Sequence, residues 1–105
     1  MKANVIKVLI VDDHSVVREG YRRLLERTPD IVVVEECGNG EDAYVLVPKV
    51  MPDLVIMDIN LPGMSGLETL RRLMQKIPKQ KILMFSMHED VVFANRSMQS
   101  GAKGY

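Results

Sequence analysis

Val8–His14 reads VLIVDDH, and Leu54–Asn60 reads LVIMDIN. Each is an unbroken apolar run that ends in aspartate, and the pair decides the fold. A strand covered on both faces shows no polar alternation, whereas a strand with one wet face does. Two more runs match, IVVV from Ile31 and ILMF from Ile82, so the runs begin 23, 23 and 28 residues apart. That interval holds one strand, one crossover helix and two short loops, which makes the strands parallel neighbours. The intervening segments have helical periodicity. Val17, Tyr21, Leu24, Leu25 and Thr28 share one face, and Ala43, Leu46, Val47 and Val50 a second. Leu67, Leu70, Met74 and Ile77 form a third, and Val91, Asn95 and Met98 a weaker fourth. Pro29, Pro52 and Pro78 precede strand runs. Asn39 is placed to cap the second helix, and Ser65 with Glu68 fits a capping box for the third. Pro48 falls inside the second helical pattern and predicts a kink or an early end there. The reading is an α/β open sheet in one domain.

Composition narrows the function. The chain has 105 residues, 47% of them hydrophobic, with 14 basic residues balancing 14 acidic ones. Neutral balance argues against a direct nucleic-acid or anionic-lipid partner. No run is long enough to span a membrane. A single cysteine, Cys37, excludes an internal disulfide and fits a reducing cytoplasm. It reads as a small buried residue. The basic residues of the first helix (Arg18, Arg22, Arg23, Arg27) and of the third (Arg71, Arg72, Lys76) read as solvated faces.

In open α/β sheets ligands bind beyond the carboxyl ends of the strands. There the runs are followed by Asp12-Asp13-His14, Glu35-Glu36-Cys37, Asp58-Ile59-Asn60 and Ser86-Met87-His88. If strands one, three and four are neighbours, Asp12, Asp13, Asp58 and Ser86 converge on one rim. Singly, each has a bland role as a helix cap or turn residue. Together they imply a cation, because like charges ~4 Å apart repel by roughly 4 kcal/mol at an effective dielectric near 20. Hard carboxylate oxygens suit Mg²⁺, and no Cys/His set exists for zinc. His14 is expected to join the hydrogen bonding of the acidic loop.

VLIVDDHSVVREGYRRLLE (Val8–Glu26), PDLVIMDINLPGMSGLE (Pro52–Glu68), ILMFS (Ile82–Ser86) and SGAKGY (Ser100–Tyr105) resemble, in order and spacing, a bacterial response-regulator receiver domain. The DDHxxVRxG opening most resembles the NarL/FixJ (LuxR-type) transcription regulators. The resemblance implies a flavodoxin-like sheet of order 2-1-3-4-5, here with strand five short and helix five missing. Residues 1–105 would form the receiver domain, with a helix-turn-helix output domain in the intact protein. It implies that Asp58 accepts a phosphoryl group from a sensor histidine kinase. Asp13, Asp58 and the main-chain carbonyl of Asn60 would ligate Mg²⁺, or Mn²⁺ in its place, with Asp12 acting mostly through water. Ser86 would be the switch hydroxyl and Tyr105 the switch aromatic, while Asn60 and His88 would tune dephosphorylation. The family's lysine, three positions after that aromatic, falls past Tyr105, and Lys103 does not replace it. The implied protein is a cytoplasmic phosphoacceptor rather than an enzyme, and it reaches DNA only through the output domain. A homodimer or exchanged element is expected to cover the face beside the first helix.

Two other readings use the same fold. A haloacid-dehalogenase-type phosphatase needs an Asp-x-Asp pair, whereas Asp12 and Asp13 are adjacent. A flavin module needs a hydroxyl- and glycine-rich phosphate loop, which Asp12-Asp13 would repel.

Overall fold

The computed structural model describes residues 4–86 and 91–104, with the backbone alone at 91–94. Strands β1 (Ile6–Val11), β2 (Ile31–Cys37), β3 (Leu54–Asp58) and β4 (Lys81–Phe85) alternate with helices α1 (Ser15–Leu25), α2 (Gly40–Val50), α3 (Gly66–Lys76) and α4 (Val91–Gln99). The sheet is parallel, in the order β2-β1-β3-β4. Beyond α4 the chain returns to the open edge of β4. Lys103 N donates to Ile82 O at 2.8 Å, Met84 N donates to Gly104 O at 3.1 Å, and Gly104 bridges Leu83 in parallel. This is where the expected short fifth strand belongs.

Side chains alternate between the two faces as the strand period of two requires. Leu9 and Val11, Val55 and Met57, and Ile82 and Met84 join the core under α2 and α3. Val8, Ile10 and Ile56 turn to the other side, where Tyr21 and Leu25 of α1 pack against them. β1 is thus covered on both sides, which explains its unbroken apolar run. The edge strand β2 breaks the alternation. Its register with β1 shifts between Val8 and Leu9, leaving Val34 as an extra residue. Such a bulge exchanges the faces of the residues that follow. Val33 therefore lies on the α1 side, while Cys37, four residues on, lies under α2.

Three sequence expectations need correction. Helix α2 does not end at Pro48 but runs two residues further, with Met51 capping in a left-handed conformation. Proline removes its own N–H from the ladder and crowds the carbonyl four residues earlier, but the bonds beyond it are left intact. Met51 N still reaches Val47 O at 2.9 Å, and the fully buried Ala43 and Val47 hold the helix to the core. Leu24 and Thr28 are exposed rather than sharing the inner face of α1 with Tyr21 and Leu25. On α4, Asn95 and Met98 are exposed, and it is Ser97 that is buried.

The expected caps are present. The side chain of Asn39 accepts from Asp42 N at 2.7 Å, and Ser65 Oγ accepts from Glu68 N at 3.1 Å. The Glu68 carboxylate, however, pairs with Arg71 and Arg72. Among the described residues no helix is long and apolar enough to cross a membrane.

Candidate functional site

The parallel order puts the carboxyl ends of β1 and β3 side by side, Val11 opposite Met57. Asp12 follows the first and Asp58 ends the second, and their residues are only 1% and 2% exposed. One donor atom from each of Asp12, Asp13, His14 and Asp58 lies within 4.8 Å of the others. Asp13 keeps more contact with water, its side chain being 34% exposed. The expected convergence of three carboxylates is therefore present. Phe85 is the register partner of Asp58, so the half-buried Ser86 follows directly on the neighbouring strand end. Asn60 is exposed beyond β3, and its N–H donates to Asp58 Oδ1 at 3.0 Å. Tyr105 and His88 lie outside the described residues.

Local geometry shapes the cluster. His14 N–H donates to Asp12 Oδ1 at 2.8 Å, and its ring Nδ1 stands 3.0 Å from both Asp12 Oδ1 and Asp13 Oδ1. The hydrogen bond to Asp12, and then the charge of Asp13, raise the His14 pKa above its ordinary value. Burial raises the carboxyl of Asp58, opposed by the Asn60 N–H and reinforced by the charges of Asp12 and Asp13. A buried anion among anions is costly without a cation. His14 joins the hydrogen bonding of the acidic loop, as expected of it from the sequence. The oxygen-rich donor set fits a hard divalent ion.

After β3 the chain turns sharply into α3. A Cβ on Gly66 would lie 2.1 Å from Asp58 O and 2.7 Å from Ile59 Cα, so only glycine allows this approach. Gly63, at φ +69°, makes the turn, and Glu41 of α2 accepts the N–H of Met64 at 3.1 Å. Cys37 is buried and its thiol is pushed up to about 11, chiefly by burial, so it is no nucleophile at neutral pH.

Sequence reasoning missed two participants, Arg18 and Glu36. Glu36 lies inside β2, not after it, and it ion-pairs with Arg18 and Arg22 of α1. Arg18 Nη1 also donates to the main-chain oxygen of Asp12 at 2.5 Å. The available signal was the four-residue spacing of Arg18 and Arg22 on one helix face, next to a strand that ends in acids.

A parallel sheet with acids at the ends of its first and third strands defines a class. The chain belongs to the response regulator receiver domains, whose description matches residues 8–105. Family members bind Mg²⁺ at an acidic pocket, and the aspartate cluster here is able to hold a metal. The particular relatives are transcription regulators of the NarL and LuxR type. The nitrate/nitrite response regulator NarL of Escherichia coli K12 is 44% identical over 101 residues, covering 93% of this chain and 45% of that protein. The transcriptional regulatory protein DegU of Brevibacillus brevis is 41% identical over 102 residues, covering 97% of this chain and 43% of that protein. A crystal structure of a LuxR-family two-component response regulator from Aurantimonas sp. SI85-9A1 superposes with a TM-score of 0.93 at 43% identity. It covers 97% of this chain and 73% of that one. The chain thus spans less than half the length of the curated relatives it matches.

Proposed function

We propose that this chain is the phosphorylation-dependent receiver of a cytoplasmic two-component transcription regulator, with Asp58 as phosphoacceptor. One observation carries the reading: Asp58 is buried at a strand end with Asp12 and Asp13 in ligating range. A carboxylate oxygen of Asp58 attacks the phosphorus of a phosphohistidine on a sensor kinase. The P–O bond forms as the P–N bond breaks, and the departing imidazole takes up a proton. Phosphoryl transfer depends on positioning and charge neutralisation more than on covalent help. Asp13, Asp58 and the Asn60 carbonyl would hold Mg²⁺ or Mn²⁺, with Asp12 acting mostly through water. When bound, the ion neutralises the carboxylates and the incoming phosphoryl oxygens.

The remaining roles follow from position and from the family. Ser86, directly after the β4 end that pairs with Asp58, donates its hydroxyl to a phosphoryl oxygen, and Tyr105 follows that movement. Asn60 and His88 tune hydrolysis of the acyl phosphate. Phosphorylation adds nearly two negative charges, which new hydrogen bonds absorb, and this demand biases a two-state surface. In the intact protein that surface controls a helix-turn-helix output domain, which carries the DNA contact. A second copy or an exchanged element covers the α1 side, where Leu24 is 59% exposed. Sedimentation of a monomer at high concentration would contradict that arrangement.

The test is direct. The full chain incubated with acetyl phosphate and MgCl₂ should gain one phosphoryl group by mass, and Asp58→Asn should gain none. Equal incorporation in the variant would remove Asp58 from its role.

A further inference from the structure

Asp12 has two main-chain groups at the rim, and β2 or its attachments hold both. Its N–H donates to Cys37 O at 3.0 Å, and its C=O accepts from Arg18 Nη1 at 2.5 Å. Arg18 does not reach there unaided. Its Nε donates to Glu36 Oε1 at 3.2 Å, while Arg22 Nε holds the other carboxylate oxygen, Glu36 Oε2, at 2.6 Å. The Arg18 and Glu36 side chains are each 22% exposed, so the pair is shielded from competing water. The carbonyl in question belongs to the peptide between Asp12 and Asp13. Fixing that peptide leaves Asp13 little freedom except rotation of its own side chain.

We propose that Arg18, anchored by Glu36, is a positioning residue that fixes the Asp12–Asp13 peptide and so sets the divalent-cation affinity of the acidic site. The inference rests on the reading of that site given above. A guanidinium suits the task because its planar fork sends two N–H donors in fixed directions, one to each partner. A lysine ammonium is a single point and cannot hold both at these distances. Charge alone predicts the opposite result: removing a positive group near three carboxylates should tighten cation binding. Geometry and electrostatics therefore disagree in sign, which makes the proposal testable.

The experiment is a MgCl₂ titration of the full chain, followed by amide chemical shifts, with the thermal midpoint measured alongside. Groups that orient metal ligands from behind are typically worth ~10- to 100-fold in affinity. Arg18→Met should weaken Mg²⁺ binding roughly tenfold, at the low end of that range. Arg18→Lys, which keeps the charge, should also weaken it. Among the described residues the Arg22 guanidinium donates to Glu36 alone. Arg22→Met leaves the Arg18–Glu36 bond in place and should cost clearly less than Arg18→Met, within about twofold, a difference under 0.5 kcal/mol.

Wild-type or tighter binding by Arg18→Met overturns the proposal. So does full rescue by lysine, or an equal loss in Arg22→Met, since either makes the contact merely structural. If Arg18→Met does not fold, Arg18→Lys and Glu36→Gln decide, each expected to weaken binding. Should the wild-type chain show no Mg²⁺-dependent shifts, or Asp58→Asn leave them unchanged, the reading of the acidic site falls and the proposal falls with it.

Discussion

The two sides of the sheet are built differently. Under α2 and α3, among the described residues, fourteen buried side chains form one cluster running from Leu9 and Val11 to Leu70 and Leu73. On the α1 side the corresponding cluster has four, Val8, Ile10, Val33 and Ile56, and α1 itself buries no residue fully. Tyr21 meets Phe85 at 5.1 Å between ring centroids, and its pKa is raised first by burial and then by the charges of Asp12 and Asp58. The lightly packed side thus faces the carboxylates, and the dense side holds the scaffold. Stability and chemistry are drawn from opposite faces of one sheet, so a change on either face should report separately.

The largest contrast is expected from two leucines. Leu73→Ala on the dense side should cost about 3 kcal/mol, as for a fully buried leucine. Leu25→Ala, half-buried on the α1 side, should cost nearer 1 kcal/mol. Urea denaturation measures both, and equal losses would erase the distinction between the faces.

Next in size is the rim. The Asp58 carboxyl is raised in the folded chain, so that chain holds its proton to higher pH than the unfolded one does. Stability therefore falls as pH rises from the ordinary carboxylate value through the raised one, and the penalty is complete at neutrality. Without divalent ions, Asp58→Asn should raise the thermal midpoint at pH 7, because the amide carries no charge to bury. The gain should vanish toward pH 3. An unchanged gain across that range would show that charge burial is not its cause.

A smaller effect tests the dense side for flaws. Among the described residues Ser97 Oγ is buried without a hydrogen-bond partner, so Ser97→Ala should stabilise by up to ~1 kcal/mol. A loss would mean that the hydroxyl is satisfied. Finally, the raised and buried Cys37 thiol should react with iodoacetamide at pH 7 at least ~100-fold more slowly in the native chain than in denaturant. Comparable rates would show that β2 opens readily.

Strands β1, β3 and β4 were legible because double-sided burial writes itself as an uninterrupted apolar run. Asp12, Asp13, Asp58 and Ser86 were legible because parallel topology carries strand ends to one rim. The bulge at Val34 was not, since register depends on which neighbour the strand meets, and Ile31–Cys37 offers no glycine to mark it. Arg18 looked like surface charge because its partners lie six and eighteen residues away, brought near only by folding. Pro48 misled for the converse reason: the burial of Ala43 and Val47 outweighs one lost hydrogen bond. Local rules read elements well and long-range polar contacts poorly.

Among the described residues β2 has one strand beside it, so its outer rim is an edge of backbone N–H and C=O groups, of which Val33 N–H donates to Glu26 Oε2 and Glu36 N–H to Glu35 Oε1, each at 3.0 Å. An even row of such groups is a template on which another chain can zip up, and the irregularity at Val34 spoils its spacing. Strand-to-strand fusion of copies along this border is thereby disfavoured.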